Sequence, residues 1–260
     1  MNVVVIPLIK SKQTIVRGKQ PPRKGTDWAQ YSINTWKWWC NKNNVQLEIL
    51  ETNYGYLEDM AYTYQRWCVI PELFKKYGDN AKLAFVDADT MVKWDTPNFF
   101  NECPEDSLTV TAREDFIQWC DWTIKHYQPL FPDVVLTIKN YYNAGFVVFT
   151  KSQLNFVNEF REFVENNKEQ LLKIQLSGNV GTDQTPFNFI LRRTGNKVYE
   201  LPITYNWIKA FTGVKKAKEV YQDSAFDFID KAYVWHFTMS YEFRDLIMSE
   251  TWKRVAPNYQ

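Results

Sequence analysis

The apolar positions of this chain fall into short runs and helical faces that alternate along its first half. Val3–Ile9 is a continuous apolar run rich in Val and Ile, the pattern of a strand covered on both faces. Ser11–Gly25 follows with Gly, Pro and many charges, and reads as a loop. Asp27 followed by Gln30 resembles a helix N-terminal capping pair, and Ile33, Trp36 and Cys40 then make one helical face. The pattern predicts a second strand at Val45–Leu50, a helix over Ala61–Lys76, and a third strand, Lys82–Val86, that ends on Asp87. Further strands are expected at Leu108–Ala112 and Tyr142–Phe149, separated by the aromatic segment Phe116–Phe131. Helices follow at about Leu154–Lys173 and Asp183–Leu191, short strands at Val198–Leu201 and Ala232–His236, and a last helix at about Glu242–Lys253. Strand–helix alternation of this kind predicts an α/β fold with a mostly parallel central sheet flanked by helices. Ligands of such sheets bind beyond the carboxyl ends of the strands, where Asp87 and Asp89 stand.

Composition adds bounds. At 260 residues and 45% apolar content the chain can bury a sizeable core, and no repeat or low-complexity linker divides it. Aromatic residues make up 17%, which serves a bulky core first and flat stacking surfaces for sugars or a nucleobase second. A net charge of +1 argues against a general nucleic-acid or membrane-surface binder. Residues 1–26 nevertheless hold no acid and carry Lys10, Lys12, Arg17, Lys19, Arg23 and Lys24, so the remainder is net acidic. A basic loop directly after the first strand could meet a diphosphate, although solvated charge is the default for each lysine. Cys40, Cys68, Cys103 and Cys120 form no C-x-x-C, which points to neither a disulfide framework nor a zinc site and suits a reducing compartment. No signal peptide or apolar run of membrane-spanning length is read, so a soluble, cytoplasmic protein is expected.

The chemistry centres on Asp87-Ala88-Asp89. A bare D-x-D is common by chance at this aspartate content. Here it follows the apolar strand Leu83–Val86, which would deliver both carboxylates together at its end. Hard oxygen ligands so placed suit Mn²⁺ or Mg²⁺ bridging to phosphate oxygens; equally, they could be solvated turn aspartates. A lone histidine near a strand end, such as His236, is ordinarily a buried and satisfied side chain, and His126 keeps that reading. Asn143 before Ala144-Gly145 reads as a sugar-hydroxyl partner or as a turn residue opening a strand. Asp183 could be a helix N-cap.

Lys82-Leu-Ala-Phe-Val-Asp-Ala-Asp-Thr90 resembles the D-A-D-T segment of the glycogenin-like retaining glycosyltransferases, nucleotide-sugar enzymes of the Rossmann-like GT-A fold. Other segments occur in that family's order: Tyr64-Gln-Arg-Trp67, Tyr142-Asn-Ala-Gly145 with the strand after it, Gly181-Thr-Asp-Gln184 and later Asn188, Leu201-Pro202 with Tyr205-Asn206, and Val234-Trp-His-Phe237. The resemblance runs from about Tyr64 to Phe237. It implies metal ligation by Asp87, Asp89 and His236, and imidazole in an oxygen-rich set favours Mn²⁺ over Mg²⁺. It implies donor contacts by Arg66, Ala88, Asn143, Ala144 and Gly145, with Asp115 at the family's donor-sugar carboxylate, and places Asp183 and Gln184 at the reacting carbon. The family's basic residue after H-F is missing, and Arg244 is the candidate to replace it at the diphosphate. One domain over 1–260 is expected, with residues 1–115 forming the nucleotide-binding half and 116–260 the acceptor-binding half.

The implied reaction moves a hexose from an NDP-sugar, UDP by analogy, to a carbohydrate or other hydroxyl acceptor with retention of anomeric configuration. A non-catalytic sugar- or nucleotide-binding protein is the alternative from another class. A haloacid-dehalogenase-like phosphatase would also use an Asp-x-Asp after an apolar strand, but a paired-acid element is wanting. A nucleotidyltransferase would require a Gly-rich phosphate loop, which nine glycines do not supply.

Overall fold

The computed structural model describes residues 1–9, 27–111, 117–177, 180–208, 223–238 and 243–260. The basic loop 10–24 and Asp115 lie outside them. The strands are β1 (Asn2–Pro7), β2 (Gln46–Leu50), β3 (Lys82–Val86), β4 (Thr90–Val92), β5 (Leu108–Thr111), β6 (Phe146–Phe149), β7 (Val198–Leu201) and β8 (Val234–His236). The α-helices are α1 (Ala29–Asn43), α2 (Tyr62–Cys68), α3 (Ile70–Tyr77), α4 (Ile117–Tyr127), α5 (Leu154–Asn166), α6 (Lys168–Ser177), α7 (Gln184–Thr194), α8 (Phe228–Lys231) and α9 (Arg244–Val255).

Six strands form the central sheet in the order β2-β1-β3-β6-β5-β7. All run the same way except β6, which is antiparallel to β3 and β5. Alternate residues feed two cores, as the two-residue period of strands requires. Val3, Val5, Leu83, Phe85, Val147 and Phe149 join one cluster with Trp67, Leu73, Phe160 and Phe187 from the helices. Val4, Ile6, Ala84, Val86, Phe146 and Val148 join the other with Trp36, Trp39 and Phe99. Both faces of β1, β3 and β6 are therefore covered, which explains their unbroken apolar runs in the sequence. Much of the aromatic content is core: Trp36, Trp39, Trp67 and Trp235 are fully buried.

Several boundaries differ from the sequence expectation. Ala61–Lys76 is two helices, because Pro71 has no N–H to donate and its ring crowds the carbonyl four residues back, so the chain re-caps at Val69. Leu154–Lys173 also divides, at Asn167, whose side-chain amide donates back to the Phe163 carbonyl at 2.8 Å. Asp27 makes no capping bond; α1 starts after Trp28 without a side-chain cap. The aromatic segment contains α4, with Trp122 on its exposed face.

The strand expected from Tyr142 begins only at Phe146, since the preceding backbone bonds to side chains instead of a ladder. Asn188 takes both the N–H and the carbonyl of Tyr142, at 2.7 and 2.9 Å. Gln184 accepts from the N–H of Ala144 at 3.1 Å, and Asn143 accepts from that of Gly145 at 2.7 Å. Every polar backbone group so diverted is satisfied, as burial demands.

β4 was not anticipated from the sequence. It pairs antiparallel with β8 in a separate two-stranded sheet, in the register Thr90↔His236, Met91↔Trp235, Val92↔Val234. A third core cluster, with Met91, Trp235, Phe237, Ile247 and Met248, backs this ribbon against α9.

Candidate metal and donor site

Asp87 leaves the carboxyl end of β3 with its N–H donated to the Gly145 carbonyl at 2.9 Å. The turn that follows is fixed by Thr90, whose hydroxyl donates to the Asp87 carbonyl at 2.7 Å and accepts from the Trp36 indole at 3.0 Å. Asp89 is held by its carbonyl, which accepts from the Phe237 N–H at 2.9 Å. The β4–β8 ribbon then sets His236 across from Thr90, beside both aspartates. Its Nε2 lies 3.4 Å from Asp87 Oδ2 and 3.3 Å from Asp89 Oδ1. One ligand atom from each of the three residues falls within 4.8 Å of the others.

Gly145 makes this possible. A Cβ built there would lie 2.3 Å from His236 Cε1 and 2.8 Å from Nδ1, so the imidazole occupies the space a side chain would need. Small residues at 144–145 can admit a close approach to the backbone, and what approaches Gly145 is the histidine ring.

Two arginines brace the aspartates. Arg244, the first residue of α9, places Nη2 2.9 Å from Asp89 Oδ2 and donates to the carbonyls of Phe237 and Thr238 at 3.2 Å each. Arg66, buried on α2, pairs with Asp87 through Nη1 and with Asp183 through Nη2 at 2.8 Å and Nε at 3.2 Å, and also donates to the Ala144 carbonyl at 3.1 Å. Asp183 occupies the N-cap position of α7 without making a capping bond. Its Oδ2 also accepts from the Trp67 indole at 2.8 Å, and its Oδ1 from the Thr182 hydroxyl at 3.1 Å. These donors fix the Asp183 carboxylate, which in turn orients Arg66.

The electrostatics follow from these contacts. Burial opposes ionisation of Asp87 and Asp89, yet the arginine partner of each, with His236, outweighs it and holds both carboxyls below their usual range. Burial likewise opposes charge on His236, but the Asp89 and Asp87 carboxylates push it up to about 9. Nε2 of this buried ring nevertheless has no hydrogen-bond partner among the described residues. A buried ring nitrogen ion-paired at 3.3–3.4 Å with two carboxylates, and making no closer hydrogen bond among the described residues, is a place where a cation can replace its proton, and a divalent ion fits the donor set.

The structure thus brings together Asp87, Asp89, His236, Arg66, Arg244, Asn143, Ala144, Gly145, Asp183 and Gln184. Ala88 is half-buried between the two aspartates and packs on the second core. His126 sits on α4 with its ring against Trp122, centroids 4.0 Å apart. Sequence reasoning gave no role to Trp67, Thr182 or Asn206, which orient the charged groups. Asn206 stood in the Tyr205-Asn206 motif, the one signal that could have flagged it.

The chain matches the family described as Glycosyl transferase family 8 over residues 40–241. A comparison with curated proteins found no match. Among solved structures, the chain is similar to a glycosyltransferase involved in the glycosylation of the major capsid of PBCV-1, with a TM-score of 0.57, 12% identity, and coverage of 95% of this chain and 98% of that one. It is also similar to the bifunctional glycosyltransferase WbbM, with a TM-score of 0.53, 16% identity, and coverage of 99% of this chain and 51% of that one. The galactosyltransferase LgtC, in complex with donor and acceptor sugar analogs, gives 0.50 at 13% identity, with 98% and 99% covered. At these identities the structural likeness speaks to the fold. The family match agrees with the resemblance in the motifs and leaves the phosphatase reading without support. The chain belongs to glycosyl transferase family 8 and is a glycosyltransferase of GT-A fold.

Proposed function

We propose that the enzyme transfers a hexose from an NDP-sugar, UDP in the first instance, to a hydroxyl of a carbohydrate or related acceptor, with retention at the anomeric carbon. The observation that carries this reading is the buried Nε2 of His236, which makes no hydrogen bond among the described residues and faces the Asp87 and Asp89 carboxylates at the carboxyl end of β3. A divalent ion held by these three residues, Mn²⁺ by the mix of imidazole and carboxylate, would supply Lewis-acid stabilisation of the leaving diphosphate. Arg66 and Arg244 keep both carboxylates ionised and oriented and, although buried, set positive charge beside the place of a diphosphate or sugar. Asp183 acts through Arg66. Gln184 presents a buried side-chain amide Nε2 with no partner among the described residues, and we assign it to a sugar oxygen near the reacting carbon. Asn143 and Ala144 complete that wall. Residues 1–115 form the nucleotide half of one domain and 116–260 the acceptor half, with Asp115 assigned to the donor sugar. Four buried, free cysteines suit a reducing compartment, and we place the enzyme in the cytoplasm.

A thermal-shift screen of UDP-, GDP- and other NDP-sugars, with and without Mn²⁺, tests the reading. The expected result is a shift that needs both a UDP-sugar and the metal, together with slow metal-dependent donor hydrolysis. Metal-independent binding with neither hydrolysis nor transfer across the panel would favour a non-catalytic sugar-binding protein.

A further inference from the structure

Two buried side-chain nitrogens at this site lack partners among the described residues: Nε2 of His236 and Nε2 of Gln184. They are the two ends of one hydrogen-bond chain. His236 Nδ1 lies 2.8 Å from Asn206 Oδ1, and Asn206 Nδ2 lies 2.9 Å from Asn143 Oδ1. Asn143 Nδ2 in turn lies 3.1 Å from Gln184 Oε1. Asn206, His236 and Asn143 are 1%, 2% and 6% exposed, so water is largely kept from all three.

An amide or imidazole can ordinarily turn over, exchanging its donor and acceptor ends. Here two backbone groups forbid it. The N–H of Gly145 can only donate, and it meets Asn143 at 2.7 Å, so the atom there is Oδ1. Turning Asn143 over would set donor against donor. With Asn143 Oδ1 fixed, Asn206 must offer it Nδ2, which leaves Asn206 Oδ1 facing the histidine. An acceptor at that position requires a proton on His236 Nδ1. Turning Asn206 over would instead press two oxygens together at 2.9 Å. The N–H of Ala144, another obligate donor, meets Gln184 at 3.1 Å and so fixes Oε1 there. Nε2 of Gln184 is thereby the end of the amide that stays buried without a hydrogen bond among the described residues.

We propose that Asn206 and Asn143 are positioning residues which transmit the polarity of the Gly145 N–H to His236, presenting its Nε2 lone pair to a divalent metal while directing the Gln184 Nε2 donor at an oxygen of the substrate. Although this role depends on the metal-holding reading above, it adds what that reading lacks: a reason why the imidazole is the correct tautomer for ligation. Metal-bound histidines characteristically give their second N–H to such a partner, and its removal lowers metal affinity by about 10–100-fold. Asn206 supplies that partner from a position 30 residues away in the chain. Its second donor bond, to the Thr111 hydroxyl at 3.1 Å, keeps the amide plane in register.

The test compares Asn206→Leu with Asn206→Asp by Mn²⁺ titration under electron paramagnetic resonance and by thermal melting in EDTA. Asn206→Leu removes the acceptor for Nδ1–H, and Mn²⁺ affinity should fall about 10–100-fold. Asn206→Asp keeps the acceptor but sets an oxygen against Asn143 Oδ1, so it should melt lower yet bind Mn²⁺ within a few-fold of the parent. Metal affinity that follows melting temperature in both variants, or is unchanged in Asn206→Leu, overturns the proposal. A second measurement needs no change in the chain of bonds. His236 becomes the sole histidine in His126→Gln, since the chain has 2. With diamagnetic Zn²⁺ bound, nitrogen-15 correlation spectra should show the proton on Nδ1; a proton on Nε2 overturns the proposal. No sugar nucleotide enters either measurement, so failure of the donor assignment leaves both standing. Failure of the parent protein to bind Mn²⁺ or Zn²⁺ would sink the metal reading, and the relay with it.

Discussion

Replacing Gly145 with alanine is the sharpest test of how the site is built. The new methyl carbon would stand 2.3 Å from His236 Cε1, 2.8 Å from its Nδ1 and 2.8 Å from Asn143 Oδ1. Carbon atoms pack at about 3.5–4.0 Å, so the overlap with Cε1 exceeds about 1 Å and something must move. The backbone of Gly145 cannot recede easily, because its carbonyl accepts from Asp87 and its N–H donates to Asn143. The ring is therefore the part that yields, swinging away from Asn206 and from the two aspartates. Overpacking of this kind costs about 1–3 kcal/mol. In a chain of this size each kcal/mol lowers Tm by about 2–4 °C. A ring moved by about 1 Å also misses a metal–nitrogen bond of about 2.0–2.1 Å, and we expect Mn²⁺ affinity to fall at least as far as loss of an outer-shell partner does, about 10–100-fold. Melting in EDTA and Mn²⁺ titration measure the two effects separately. In the double variant with His236→Ala the overlap with the ring disappears and only the milder one with Asn143 Oδ1 remains, so the stability losses should be strongly non-additive. Gly145→Ala binding Mn²⁺ within threefold of the parent, or additive losses in the double variant, would refute the account.

Other outcomes follow from the same contacts. Asp87→Ala and Asp89→Ala should each abolish metal-dependent turnover with the fold retained; undiminished activity in both would remove them from the site. Asp183→Ala leaves buried Arg66 with Asp87 as its remaining carboxylate, and stability should fall by about 1.5–3 kcal/mol in urea titrations for the charged hydrogen bonds lost. A loss below about 1 kcal/mol would show the pair to be incidental. Burial pushes the thiols of Cys40 and Cys68 up to about 12 and that of Cys103 up to about 11. Their contribution to stability is thus fully present below their ordinary value near 9, where folded and unfolded chains are both protonated. It is lost as pH rises towards 11–12, because the unfolded chain ionises first. Denaturation midpoints should therefore drop above pH 9, and a thiol reagent at pH 8 should label these three only on unfolding. Rapid labelling of the folded protein would contradict their burial.

Much of the framework is written locally. Lys82–Val86 forms a strand over the span its pattern predicts, since a strand covered on both faces reads as a bare apolar run, and Val198–Leu201 also forms over its expected span, as a half-exposed edge strand. Asp87 and Asp89 follow from that strand's end, and the order of the short motifs carried the family. What locality could not carry is everything that depends on pairing across the chain. β4 is three residues long, too short for any period, and it becomes a strand only because β8 lies beside it. His236 looks like an ordinary buried histidine until that ribbon sets it across from Thr90. Asp183 carries the residue type of a helix cap, and its real partner, Arg66, lies 117 residues away. The late start of β6 also depends on distant side chains, Asn188 and Gln184, taking up the backbone of residues 142–144. Burial and periodicity are properties of neighbours in sequence, and so the chain alone determines its elements and the type of chemistry at their ends. Orientation, tautomer and charge pairing arise between atoms that meet only after folding, and here the tertiary structure alone decides them.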